Sequence, residues 1–255
     1  MTIVYYSFID PNMVVLLPYV YIIPTVIMYL ILLYIFFFSK EKAKFCAAFY
    51  KIFIIQSIAS IIGTIGFELS FRLPMAPVAT PFIKSLPSEG FFPTVIQVIL
   101  YNGFTVCLLC EALMSFNRAT IVFMKMQFDQ FWTKAMKYVY FLVFFLPNLI
   151  TFNLWFQNVT IEPEFRDKPD LGVNWHERSY EYFGFMRTEV AYFIVFAIIS
   201  VWNLIWNIYT LIYFVKRRNK AQTYTASNTN VELRMFLFSF IMFILQFATT
   251  LLSVS

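Results

Sequence analysis

Charge is scarce in this chain: only 13% of its 255 residues are Asp, Glu, Lys or Arg, while 60% are hydrophobic. A soluble domain carries about 25% charge, so half that share cannot cover a surface against water, and the expected solvent is a bilayer. Glycine is also rare. Six residues supply no G-x-x-x-x-G-K-[ST] or G-x-G-x-x-G loop to cradle a phosphate, and no G-x-S-x-G nucleophile turn. One histidine, His176, excludes the multi-histidine ligand sets of membrane di-iron centres and of His-based zinc sites; it reads as a solvated loop residue. No enzymatic chemistry, metal or cofactor is therefore expected. The three cysteines, Cys46, Cys107 and Cys110, fall in or beside apolar runs. They read as small buried hydrophobes, with no extracellular disulfide to draw.

What the chain has is long apolar runs. Six qualify as membrane spans at about 20 residues each: about 13–38, 45–69, 92–117, 136–156, 189–215 and 234–255. The runs are continuous, whereas barrel strands alternate over roughly 10 residues, and a helix satisfies its own backbone in lipid. The predicted fold is all-α, a polytopic membrane helix bundle forming a single domain over residues 1–255. Gly63 and Gly66 mark close packing, and Pro18, Pro24 and Pro147 mark local bends that lipid tolerates. The first run is too long for a signal h-region and no basic cluster precedes it, so it is expected to be a retained span.

Basic residues orient the spans. Lys40, Lys42, Lys44 and Lys51 flank the first loop, Arg118, Lys125, Lys134 and Lys137 the third, and Lys216, Arg217, Arg218, Lys220 and Arg234 the fifth. The other side has Arg72, Lys84, Arg166, Lys168, Arg178 and Arg187. The excess predicts an N-terminus outside and a basic cytosolic face, which anionic inner-leaflet lipid favours. No basic stripe lies on a soluble surface, so nucleic acid is not an expected partner. The sequon at Asn158, Asn-Val-Thr, falls in a loop assigned outside and is a glycosylation candidate.

The stretch EALMSFNRATIVF, residues 111–123, places an acid and a guanidinium in an apolar run. Glu111 and Arg118 are two helical turns apart and share much the same face. Arg118 can snorkel to headgroups at the inner end of the third span. Glu111 lies about 10 Å deeper, where a carboxyl faces the bundle interior with a partner or stays protonated. Lys51 is the nearest candidate partner by depth. One reading is structural: an interfacial anchor and a buried hydrogen bond. The other is an electrostatic latch that a bistable bundle makes and breaks.

Leu113-Met114-Ser115-Phe116-Asn117-Arg118-Ala119-Thr120, with Leu100-Tyr101-Asn102-Gly103 before it, resembles the nematode serpentine chemoreceptors. The likeness is nearest to class gamma, the Srg family, with class V a near neighbour. Span spacing and a long outside loop rich in Tyr, Trp and acids, Glu162 to Glu189, also fit. The resemblance implies a seven-helix receptor in the plasma membrane of sensory cilia, coupled to a heterotrimeric G protein. It places Arg118 at the arginine of the D/E-R-Y triplet. Here the triplet is Asn117-Arg118-Ala119, so the acid that usually locks that arginine is missing, as is the usual disulfide at the top of span three. The sixth run reaches Ser255, so the chain is expected to represent six helices of a seven-helix fold.

The resemblance also implies a small-molecule ligand entering from outside against aromatic walls with a few polar groups. Gln97, Tyr101, Asn102 and Tyr192 are pocket candidates. Arg118, Asn117, Glu111 and Lys51 are candidates for the G-protein-side switch, and Lys216, Arg217, Arg218 and Lys220 form a cytosolic basic loop that meets a G protein or anionic lipid. Two other classes remain open. A small-solute transporter or channel subunit would use Glu111, the one strong intramembrane charge, though no repeat relates spans 1–3 to 4–6. A shortened, non-signalling receptor-like membrane protein would use its bare helix surface to dimerise.

Overall fold

The computed structural model describes residues 16–38, 47–87, 89–124, 127–156, 158–163, 172–178 and 188–220. Within these, α1 is Tyr19–Phe38. Helix α2 runs Ala48–Met75, loosened by a π turn over Glu68–Arg72. A short α3 follows at Thr80–Ser85. Then come α4, Phe91–Met124, 34 residues long, and α5, Phe128–Ile150. Two antiparallel strands, β1 Asn158–Pro163 and β2 Val173–Arg178, form a hairpin. Helix α6, Thr188–Lys220, ends the described chain. The end holding Met124, Phe128 and Lys220 is here the basic end; the other is the hairpin end.

Helices α1, α2, α4 and α6 are each long and apolar enough to cross a membrane. The chain is thus an all-α polytopic bundle with one small hairpin added. Expected span 136–156 differs most. Its helix starts earlier, at Phe128, and ends at Ile150, where Thr151 caps onto the Pro147 carbonyl and a 3₁₀ turn, Phe152–Phe156, follows. Asp129, Lys134 and Lys137 lie in its opening turns and Pro147 and Asn148 in its closing ones, which dilute its apolar character. Lys134 and Lys137, expected in a loop, are therefore helical. Expected span 234–255 lies outside the described residues.

Helix α4 is the centre. More than half of its most apolar window, 56%, is buried, against 0% for α1. No side chain of α1 is fully buried, but Ile22, Val26, Tyr29, Leu33 and Phe36 form one half-buried stripe, with Phe36 against Tyr50 and Phe53 of α2. The remaining faces are exposed, as a lipid-facing helix requires. Between α2, α4 and α5 lies a core of Ala48, Ile52, Cys110, Met114, Trp132, Met136, Val139 and Val143. A second core, Leu108, Leu109, Ala112, Phe196 and Ile199, joins α4 to α6.

Helices α2 and α4 are antiparallel and touch backbone to backbone where glycines meet. A Cβ on Gly103 would stand 2.5 Å from Gly63 Cα, and one on Gly66 would stand 2.9 Å from the Leu100 nitrogen. Small residues permit this approach, and in lipid it is the main source of helix–helix attraction. It also sets the register in which every polar group farther along the seam finds its neighbour.

Candidate functional site

Along the α2–α4 seam three contacts follow the glycines toward the basic end. Ser60 Oγ and Cys107 Sγ are 3.3 Å apart. Gln56 Nε2 donates to Glu111 Oε1 at 3.2 Å. The Arg118 guanidinium lies 5.5 Å above the Phe49 ring. Four residues forward on α4 match four back on α2, and then seven match seven, as antiparallel helices in close contact require. The face shared by Glu111 and Arg118 is therefore the face turned to α2. The partner expected for Glu111 is corrected: Lys51 is exposed, about 140° around α2 from Gln56. Arg118 lies inside α4 and is half-buried, six residues before the helix ends. There its planar cation stacks on an aromatic face.

On its other faces the same segment reaches two further helices. Ser115 Oγ donates to Asn203 Oδ1 of α6 at 2.5 Å, and Asn207 Nδ2 donates to that same oxygen at 2.8 Å. Thr120 Oγ1 accepts from Trp132 Nε1 of α5 at 2.8 Å and donates to the Asn117 carbonyl at 2.7 Å. Phe116 lies between α5 and α6, with ring centroids 5.9 Å from Trp132 and 4.9 Å from Trp206. Asn117 is fully buried, and neither of its side-chain polar atoms has a hydrogen-bond partner among the described residues. Residues 115–120 thus form a three-helix junction: Arg118 to α2, Thr120 to α5, Ser115 to α6, and Phe116 between the last two.

Sequence reasoning placed Asn117 and Arg118 here and missed Gln56, Thr120, Trp132, Asn203 and Asn207. A signal for part of it was available. Ser200, Asn203, Asn207 and Thr210 recur every three or four residues along an apolar run, and all four are buried. That is one helical stripe, inverted for a membrane: polar inward, apolar outward.

The pocket candidates separate. Tyr101 of α4 and Tyr192 of α6 meet edge to face at 5.7 Å. Asn102 turns instead to α5, donating to Asn148 Oδ1 at 3.4 Å and accepting from Thr151 Oγ1 at 3.0 Å. Gln97 is buried nearer the hairpin. The hairpin closes that end of the α2–α4 pair: Trp175 is buried against Ile96 and Leu69, and its Nε1 donates to the Leu69 carbonyl in the π turn at 3.3 Å. His176, expected in a loop, lies in β2 opposite Thr160. Asn158 opens β1. Lys216 is exposed, and Arg217, Arg218 and Lys220, expected in a loop, belong to the last turns of α6, where cations complement the helix dipole.

A model of the Srg family chemoreceptors matches residues 15–255. Serpentine receptor class gamma-11 of Caenorhabditis elegans is 26% identical over 149 residues, which cover 57% of this chain and 44% of that protein. Serpentine receptor class gamma-2 of the same organism is 24% identical over 152 residues, covering 58% and 46%. The matched stretch spans less than half the length of either relative.

Proposed function

We propose that this chain, which belongs to the Srg family of chemoreceptors, binds a small-molecule cue at its hairpin end and signals through a heterotrimeric G protein at its basic end. The basic end is then cytosolic, as the excess of Lys and Arg there requires, and the chain is a multi-pass plasma-membrane protein of sensory cilia. The observation that carries the reading is the junction at residues 115–120. One short segment of the central helix is tied separately to three others, so a shift of α4 against any of them is felt by the rest.

Arg118 is the proposed switch residue. Its hold in this state is the Phe49 ring, in place of the neighbouring acid that Asn117 replaces. A cation over an exposed or half-buried ring is held by about 0.5–2 kcal/mol, weak enough for a ligand's differential affinity to overcome. Glu111 and Gln56 form the deeper fastening of the same latch. Asn117, with no side-chain hydrogen-bond partner among the described residues, is a group that a second arrangement can satisfy. Tyr101 and Tyr192 are the proposed ligand contacts, with Gln97 and Asn102 beside them. Lys216, Arg217, Arg218 and Lys220 extend α6 toward the G protein.

The test is expression of the full chain in cells carrying cyclic-nucleotide and calcium reporters, challenged with a panel of small molecules. We expect an evoked response that Arg118→Ala abolishes without loss of surface protein and that Tyr192→Ala shifts to higher dose. An evoked response indifferent to Arg118→Ala would remove the switch. Solute uptake lost in Glu111→Gln would favour a transporter instead.

A further inference from the structure

The outward face of α5 changes character in the space of three turns. Its buried side is regular, with Trp132, Met136, Val139, Val143, Pro147 and Ile150 against the core. The opposite side begins with exposed Thr133, Lys134 and Lys137. It passes through Tyr138, 65% exposed, to Phe141, Phe144 and Phe145 at 64%, 77% and 49%. Positions 134, 137, 138, 141 and 145 follow the three-and-four spacing of one helical stripe. Two ammonium groups therefore stand directly above a run of aromatic rings on a single outward face. The Lys137 ammonium leans 4.8 Å over the Tyr138 ring. Phe141 and Phe145 stack at 5.1 Å with an interplanar angle of 12°, forming a flat apolar strip below it. From Lys134 to Phe145 the rise is about 16 Å, the reach of a headgroup and the upper part of an acyl chain.

We propose that this stripe is a binding site for one anionic phospholipid. Lys134 and Lys137 take the phosphate, and an acyl chain lies along Phe141 and Phe145. Tyr138 sits at the level where a ring is wet at one edge and apolar at the other, as interfacial tyrosines do. Two lysines on one face distinguish an anionic headgroup from a neutral one, because each contributes attraction near a charged bilayer surface. Asp129, exposed at the start of α5, stands about 140° around the helix from Lys134 and so lies off the stripe, which carries the two positive charges alone. A generic bilayer contact would need only the aromatic strip. The paired lysines above it are what commit the site to an anionic lipid.

The full chain, purified in detergent, would be titrated with phosphatidylglycerol and with phosphatidylcholine of matched acyl length, and bound lipid counted by native mass spectrometry. The expected result is preferential retention of phosphatidylglycerol. Replacing both lysines, Lys134→Gln with Lys137→Gln, should cut that preference by roughly fivefold per lysine removed. Lys84→Gln, exposed on α3 away from the stripe, should leave it unchanged. Lys134→Gln and Lys137→Gln alone should each lower it, which keeps the idea testable if the double variant does not fold. Equal retention of the two lipids, or a preference that moves with Lys84→Gln and not with the Lys134 and Lys137 variants, would overturn the site.

Discussion

At the hairpin end Glu68 and Arg72 stand four residues apart on α2 and meet each other at 2.8 Å. At the basic end Glu111 and Arg118 stand seven apart on α4, and each reaches across to α2, to Gln56 and to the Phe49 ring. Four residues are one turn, so the first pair can meet whatever the neighbouring helices do, although Glu68 Oε2 stays buried without a hydrogen-bond partner among the described residues. Arg72 adds a second bond, from Nη2 to Tyr21 of α1 at 2.8 Å, but its main partner is local. Seven residues are two turns, too far for a direct bond, so the second pair depends on where α2 lies. The hairpin end is thus fixed locally and capped by Trp175, whereas the basic end is fixed by the relative positions of helices. A receptor that transmits a signal by moving helices has its movable contacts where polar groups are shared between helices.

That contrast predicts a graded series. The largest effect belongs to Gly103→Leu, whose Cβ would stand 2.5 Å from Gly63 Cα. The α2–α4 seam must open, and overpacking of this kind costs about 1–3 kcal/mol or more. We expect a clear fall in the folded fraction by size-exclusion and thermal denaturation in detergent; an unchanged transition would mean the seam does not set the register. Next comes Asn203→Ala, which strips Ser115 and Asn207 of their shared acceptor. The Ser115 bond is interhelical, a kind that averages about 0.6 kcal/mol in lipid, and the Asn207 bond within α6 adds about 0.5 kcal/mol. A loss of about 1 kcal/mol is therefore expected, and a double-mutant cycle with Ser115→Ala should show coupling.

Trp132→Phe keeps the ring against Phe116 and removes only the bond to Thr120. Its expected cost is about 0.5–1 kcal/mol, additive with Gly103→Leu because the two sites are far apart. Strong coupling between them would mean that the three legs of the junction act as one. The smallest effect is assigned to Glu68→Gln. Its carboxylate and Arg72 are only 14% and 20% exposed, but the substituted amide oxygen can still accept from Arg72, and the buried charge whose Oε2 has no hydrogen-bond partner among the described residues is removed. The two effects offset, so the net loss is expected below about 0.5 kcal/mol. A loss as large as that of Asn203→Ala would erase the distinction between the two ends.

Much of the bundle was legible in the residues. Apolar runs of about 20 located α1, α2, α4 and α6 because the demand for internally satisfied backbone is met within each segment. The seven-residue spacing of Glu111 and Arg118 correctly put both on one face. The fourth run was misjudged at both ends because Lys134 and Lys137 look like loop residues until α5 is seen to carry them on its outward side. The hairpin was read only as a long loop. Its strands are short, and their burial comes from Trp175 reaching the π turn 106 residues away in sequence.

What the sequence determined by itself was therefore helical: which segments are helices, which side of each is polar, and which residues share a face. Those are properties of a repeating local geometry of 3.6 residues per turn. What only the tertiary structure decided was the other half of each contact: Gln56 in place of Lys51, Phe49 beneath Arg118, Asn203 across from Ser115, Trp132 against Thr120. A face has a direction but no partner until the small residues at Gly63, Gly66 and Gly103 fix how closely, and in what register, the next helix can lie.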